Sequence, residues 1–108
     1  MNTSTDFYSF VLHDVFGGIH GITSRKMFGG YGFYFQGRIF AIIANGVLYF
    51  KVDEQIQPFF EAHEDSHPFQ YQAKNKKPVT MRYWSLPLAI MEKPGDVRSW
   101  VERSAGIT

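Results

Sequence analysis

Arg25-Lys26-Met27-Phe28-Gly29-Gly30-Tyr31-Gly32 and Asn45-Gly46-Val47-Leu48-Tyr49-Phe50-Lys51-Val52 bracket the stretch whose reading decides the fold. Between and within them, runs of β-branched and aromatic residues are divided by Gln36-Gly37 and Asn45-Gly46, two tight-turn signals. Asn and Gly both tolerate the positive φ that a type I′ turn requires, so Asn45-Gly46 reads as the tip of a two-residue hairpin. The pattern predicts an edge strand over residues 21–27, a glycine bend, a strand over 31–35 and another over 38–44. After the turn, Leu48, Phe50 and Val52 share one face while Val47, Tyr49 and Lys51 share the other. Residues 39–43, Ile-Phe-Ala-Ile-Ile, have no polar member, so that strand is expected to be buried on both faces.

Working outward, residues 7–19 place Phe7, Phe10, Val11 and Val15 at helical spacing, with Ser4 or Thr5 as the cap and Gly17-Gly18 as the stop. Downstream, Asp53 should cap a short helix over 54–62 that carries Ile56, Phe59 and Phe60, with Pro58 in its early turns. A hairpin is expected from 69–72 and 78–84 around Lys74, Lys76 and Lys77. Two helical pieces follow Pro87, the second with Val97, Trp100 and Val101 at i, i+3 and i+4 and a stop at Gly106. Phe7, Phe10, Phe59, Phe60 and Trp100 read as core. The order is helix, four strands, helix, two strands, helices: an α+β domain over 1–108, with an antiparallel sheet of five to six strands and helices on one face.

Composition narrows the function. The chain has 108 residues, 44% hydrophobic and 18% aromatic, enough for a core. Eleven Lys and Arg against ten Asp and Glu lack the global excess of a nucleic-acid binder. Without Cys there is no disulfide framework or thiol nucleophile, and no apolar run reaches membrane-spanning length, which points to a cytoplasmic protein.

The residues 25–32 quoted above, then Leu48-Tyr49-Phe50-Lys51-Val52-Asp53, Met81-Arg82-Tyr83-Trp84-Ser85-Leu86-Pro87 and Trp100 resemble the amino-terminal domain of the TfoX/Sxy family of bacterial competence regulators. The resemblance implies a small α+β fold and a non-enzymatic, regulatory binding module without catalytic residues or cofactor. In full-length members a helical carboxy-terminal domain follows, and the whole acts with the cyclic-AMP receptor protein at DNA-uptake promoters. This chain looks like a stand-alone first domain.

His63-Glu64-Asp65-Ser66-His67 satisfies the H-E-x-x-H zinc pattern, which would make a metal-dependent hydrolase the remote alternative. His67 precedes Pro68, however, and proline disfavours helix at the residue before it, so a loop without metal is expected. Gly29-Gly30-x-Gly32 precedes a strand, whereas phosphate loops open a helix, and so reads as a backbone bend. Arg25, Lys26, Lys51 and Arg82, interleaved with Tyr49, Tyr83 and Trp84, are the candidate binding residues. If they share the uncovered sheet face, they make a basic, aromatic surface for a protein partner, a phosphate backbone or a second copy of the chain. Ordinary solvated charges are the plainer alternative.

Overall fold

The computed structural model describes residues 3–27, 29–71 and 79–106. Six strands form one antiparallel sheet: β1 (Ile22–Met27), β2 (Gly30–Phe35), β3 (Arg38–Ala44), β4 (Val47–Lys51), β5 (Pro68–Tyr71) and β6 (Val79–Ser85), in spatial order β1-β2-β3-β4-β6-β5. The first four are consecutive hairpins. At the turns of the second and third hairpins φ is positive: 51° and 80° at Gln36 and Gly37, 52° and 75° at Asn45 and Gly46. This matches the right-handed twist of the flanking strands. The connection carrying Lys74, Lys76 and Lys77 lies outside the described residues.

Alternation then sorts the side chains. Tyr31, Phe33 and Phe35 of β2, Ala41 and Ile43 of β3, and Leu48 and Phe50 of β4 are placed on one face by their cross-strand pairing. The helices lie there: α1 (Thr3–Phe10) continuing into a π-helical segment (Val11–Val15), α2 (Gln57–Glu61), α3 (Leu88–Met91) and α4 (Pro94–Ser104). Tyr8 stacks on Tyr31 at 4.0 Å and shares a 2.6 Å hydrogen bond with Ser24. Phe16 meets Phe33 and Phe40 edge-on at 5.2 and 5.3 Å, and Phe60 meets Trp100 edge-on at 5.2 Å. Edge-to-face packing suits the ring quadrupoles, so these contacts stabilise beyond the area they bury. Val97, Trp100 and Val101 are the buried stripe of α4, as their spacing predicts.

Four expectations need correction. Ser4 and Thr5 lie inside α1, which begins at Thr3, so neither stands ahead of the helix as its cap. The helix also widens: the Phe16 amide donates to the Val11 carbonyl five residues back, at 2.9 Å. That extra residue per turn brings Val11, Val15 and Phe16 inward and leaves Phe10 at the rim, 43% exposed. Phe59 is likewise 54% exposed, with its ring against the edge of Trp100. Strand β3 is fully buried on one face only. The register shifts between Phe33 and Tyr34 where Phe40 bulges towards the helices, so Ile39, Ile42 and Ala44 lie half-buried on the other side.

Candidate functional site

Among the described residues no helix covers the second face of the sheet. Across it the pairing sets Arg25, Gly32, Ile42, Tyr49 and Ser85 in one row. Beside that row, Tyr34 stands opposite Ile39, and Lys51 opposite Tyr83. Gly32 leaves a dip that Met27 fills, its Cε 2.9 Å from where a Cβ on Gly32 would stand. Tyr49 is only 7% exposed, yet lies outside the core cluster. The rings of Phe69 and His67, 5.0 and 6.0 Å away, shield it on this face. The centre is thus apolar and half-buried, with cations at β1 and β4.

Of the four candidate binding residues, Arg25 and Lys51 stand on this face. Lys26 pairs with Tyr31, and the Val52 amide donates to the Arg82 carbonyl, so Lys26 and Arg82 lie on the helical side. Tyr49 and Tyr83 accompany the first pair, while Trp84 packs against the core. Tyr34, Ile39, Ile42 and Phe69 belong to the face as well and were missed. A signal for Ile42 existed: a two-residue turn at Asn45-Gly46 sets Ala44 opposite Val47, and therefore Ile42 opposite Tyr49.

Charge is distributed by layer. None of the chain's ten carboxylates lies on a strand, whereas Arg25, Lys26, Arg38, Lys51 and Arg82 all do. Among the described residues no carboxylate pairs with Arg25 or Lys51; the ion pair present joins Arg98 and Glu102 of α4 at 3.7 Å. The near-zero net charge therefore conceals a basic sheet beside an acidic helical layer.

Burial raises the pKa of the Tyr49 and Tyr83 phenols, and for Tyr83 the neighbouring Tyr34 adds to the effect. The folded protein keeps these protons where the unfolded chain would release them. Their contribution to stability is accordingly full at neutral pH and is lost as pH rises beyond about 10. Tyr83→Phe should lose less stability than the wild type between about pH 8.5 and 11, read by urea unfolding at each pH. Equal losses would mean that Tyr83 ionises as freely in the folded protein as in the unfolded chain.

The H-E-x-x-H pentapeptide is a clip. Helix α2 ends at Glu61, and the Ser66 amide donates to the His63 carbonyl in a turn, so the two imidazoles do not share a helix. The buried Ser66 hydroxyl donates to the Ser85 carbonyl at 2.6 Å, and the His67 amide donates to Ser85 Oγ at 2.9 Å. Asp65 Oδ2 accepts from the Leu88 amide at 2.9 Å, capping α3 from another segment. Asp65→Ala should cost about 1 kcal/mol in a urea titration and Asp65→Asn less, because the amide retains an acceptor. No group of three metal-ligating side chains occurs among the described residues. The glycine motif is also structural: β2 begins at Gly30, and a Cβ there would stand 1.9 Å from the Ile43 carbonyl oxygen.

A shallow depression of about 300 Å³ lies behind the sheet among Asp53, Gln55, Ile56, Phe59, Arg103 and Gly106. Asp53 Oδ1 is occupied by the amides of Gln55 and Ile56, at 2.8 and 2.9 Å, and the Arg103 guanidinium lies 4.8 Å from the Trp100 ring centroid. Both charged groups are engaged in local structure, which leaves no acid and base converging on a common point. Among the described residues no helix is long and apolar enough to cross a membrane.

These features define a two-layer, open-faced α+β domain. The family model of the TfoX N-terminal domain matches residues 14–106, nearly the whole chain, and the chain belongs to that family. No curated protein matches it.

Proposed function

We propose that this domain is a non-enzymatic, cytoplasmic regulatory module that acts in transcription control by binding another protein on its uncovered sheet face. The observation that carries this reading is the row from Arg25 through Ile42 to Tyr49, an apolar strip flanked by cations that pair with no described carboxylate. Apolar side chains ringed by charge are what a protein interface presents: a centre that excludes water and a rim that selects the partner. Membership of the TfoX N-terminal family supports a place in competence regulation. The contact residues on this reading are Arg25 and Lys51, with Lys26 and Arg82 reachable only by a partner that also meets the helical side.

Direct nucleic-acid binding is the second reading, favoured by the five cations on strands. The two separate by capture. Tagged protein incubated with a lysate of its source organism, with and without nuclease, should retain a specific protein after digestion, identified by mass spectrometry. Retention of nucleic acid alone, lost steeply with added salt, would overturn the protein-binding reading.

A further inference from the structure

We propose, building on the protein-binding reading above, that the occupant of the open face is an amphipathic α-helix of another protein, bearing Asp or Glu on both flanks of an apolar stripe. Arg25 and Lys51 stand on β1 and β4, three strand spacings apart, or about 14 Å. An α-helix with its side chains is about 10–12 Å across, so one lying along β2 and β3 fits between the two cations. Beneath it would lie Ile39, Ile42 and Tyr34, half-buried already, with Met27 over Gly32 as an adaptable filler. A helix there also completes the layer the sheet lacks, since β3 carries apolar residues on both faces.

Charge selects among occupants. A second copy would bring the same two cations and no strand carboxylate, because all ten carboxylates lie elsewhere. Single-stranded nucleic acid needs exposed rings for stacking and a continuous basic track. Here the ring in the central row, Tyr49, is shielded, Tyr34 and Tyr83 are half-buried rather than open for stacking, and the cations stand on opposite margins. Carboxylates flanking an apolar stripe meet both features at once.

Two labelled helical peptides of about 15 residues, long enough to span β3, test this. Both carry the same Leu stripe at i, i+3, i+4 and i+7, one with Glu and the other with Lys on its flanks. By fluorescence anisotropy with the full chain, the Glu peptide should bind about tenfold more tightly, weaken with salt, and shift the amide resonances of Ile42 and Tyr34. Arg25→Glu/Lys51→Glu, checked for folding by circular dichroism, should reverse the preference. Equal binding of both peptides at this face would overturn the acidic partner and leave protein binding intact. Resonance shifts of this face with oligothymidylate but with neither peptide would overturn both proposals. Dimerisation through this face in sedimentation, or binding of neither peptide, would overturn the helical occupant, with nuclease-resistant capture judging the broader reading separately.

Discussion

Phe50→Ala should cost about 4 kcal/mol, a large share of the roughly 5–15 kcal/mol that holds a domain of this size together. Phe50 is fully buried at the middle of the sheet and touches three parts of the core. Its ring centroid lies 5.5 Å from Phe40 of the bulge, 6.1 Å from Phe16 after the π-helical segment and 6.4 Å from Phe60 of α2. Truncation leaves a cavity walled by rings from separate elements, none of which can move in without leaving other partners. Lys51→Ala, one residue along the strand and on the opposite face, should change stability by no more than about 0.5 kcal/mol. Urea unfolding followed by circular dichroism compares the two directly. Similar costs would mean that the faces are not divided as described.

Gly30→Ala should destabilise by about 3 kcal/mol or more, although it adds a single methyl group. The new Cβ would meet the Ile43 carbonyl oxygen at 1.9 Å and the Ala44 Cα at 3.6 Å, both backbone atoms. No rotamer change relieves such contacts, so β2 and β3 would have to part where the first hairpins join. Gly32→Ala is the control. Its Cβ would meet Met27 Cε and Sδ at 2.9 and 3.2 Å, the far end of a flexible side chain that can swing away. That variant should lose about 1 kcal/mol or less, with both glycine variants measured by the same urea unfolding.

The hairpins were legible because their signals are local. Asn45-Gly46 and Gln36-Gly37 adopt the positive φ that tight turns demand, and alternation carries the register outward from each. Helix α4 was legible for a similar reason, its buried stripe repeating at helical spacing. The π-helical widening was not, since it depends on how Phe16 must meet Phe33 and Phe40 rather than on any pattern within residues 7–19. Nor was the lone burial of one face of β3, because an apolar strand reads the same whether a helix or nothing lies over its second side.

The candidate site was half legible. Arg25 and Lys26 are consecutive on one strand, so alternation already required them to face opposite ways. Lys51 and Arg82 were harder: β4 and β6 are joined through α2 and β5, and no turn links their register. The pairing of Lys51 with Tyr83 and the Val52 amide on the Arg82 carbonyl show that Arg82 turns to the helices. Tyr34 is set opposite Ile39 by the Gln36-Gly37 turn, a local signal, whereas Phe69 reaches the face from β5, beyond β6, with no local signature.

That division of four cations between two faces supplies the most direct test of the central proposal, that the uncovered face is where the partner binds. Arg25→Glu/Lys51→Glu alters the open face, and Lys26→Glu/Arg82→Glu makes the same change of charge on the helical side. All four residues are exposed, so both variants should fold with near-native stability. Partner retained after nuclease treatment is then measured for each against the wild type. The partner should be lost with the open-face pair and retained with the helical-side pair; equal retention by both, or loss with the helical-side pair alone, would overturn binding at the open face.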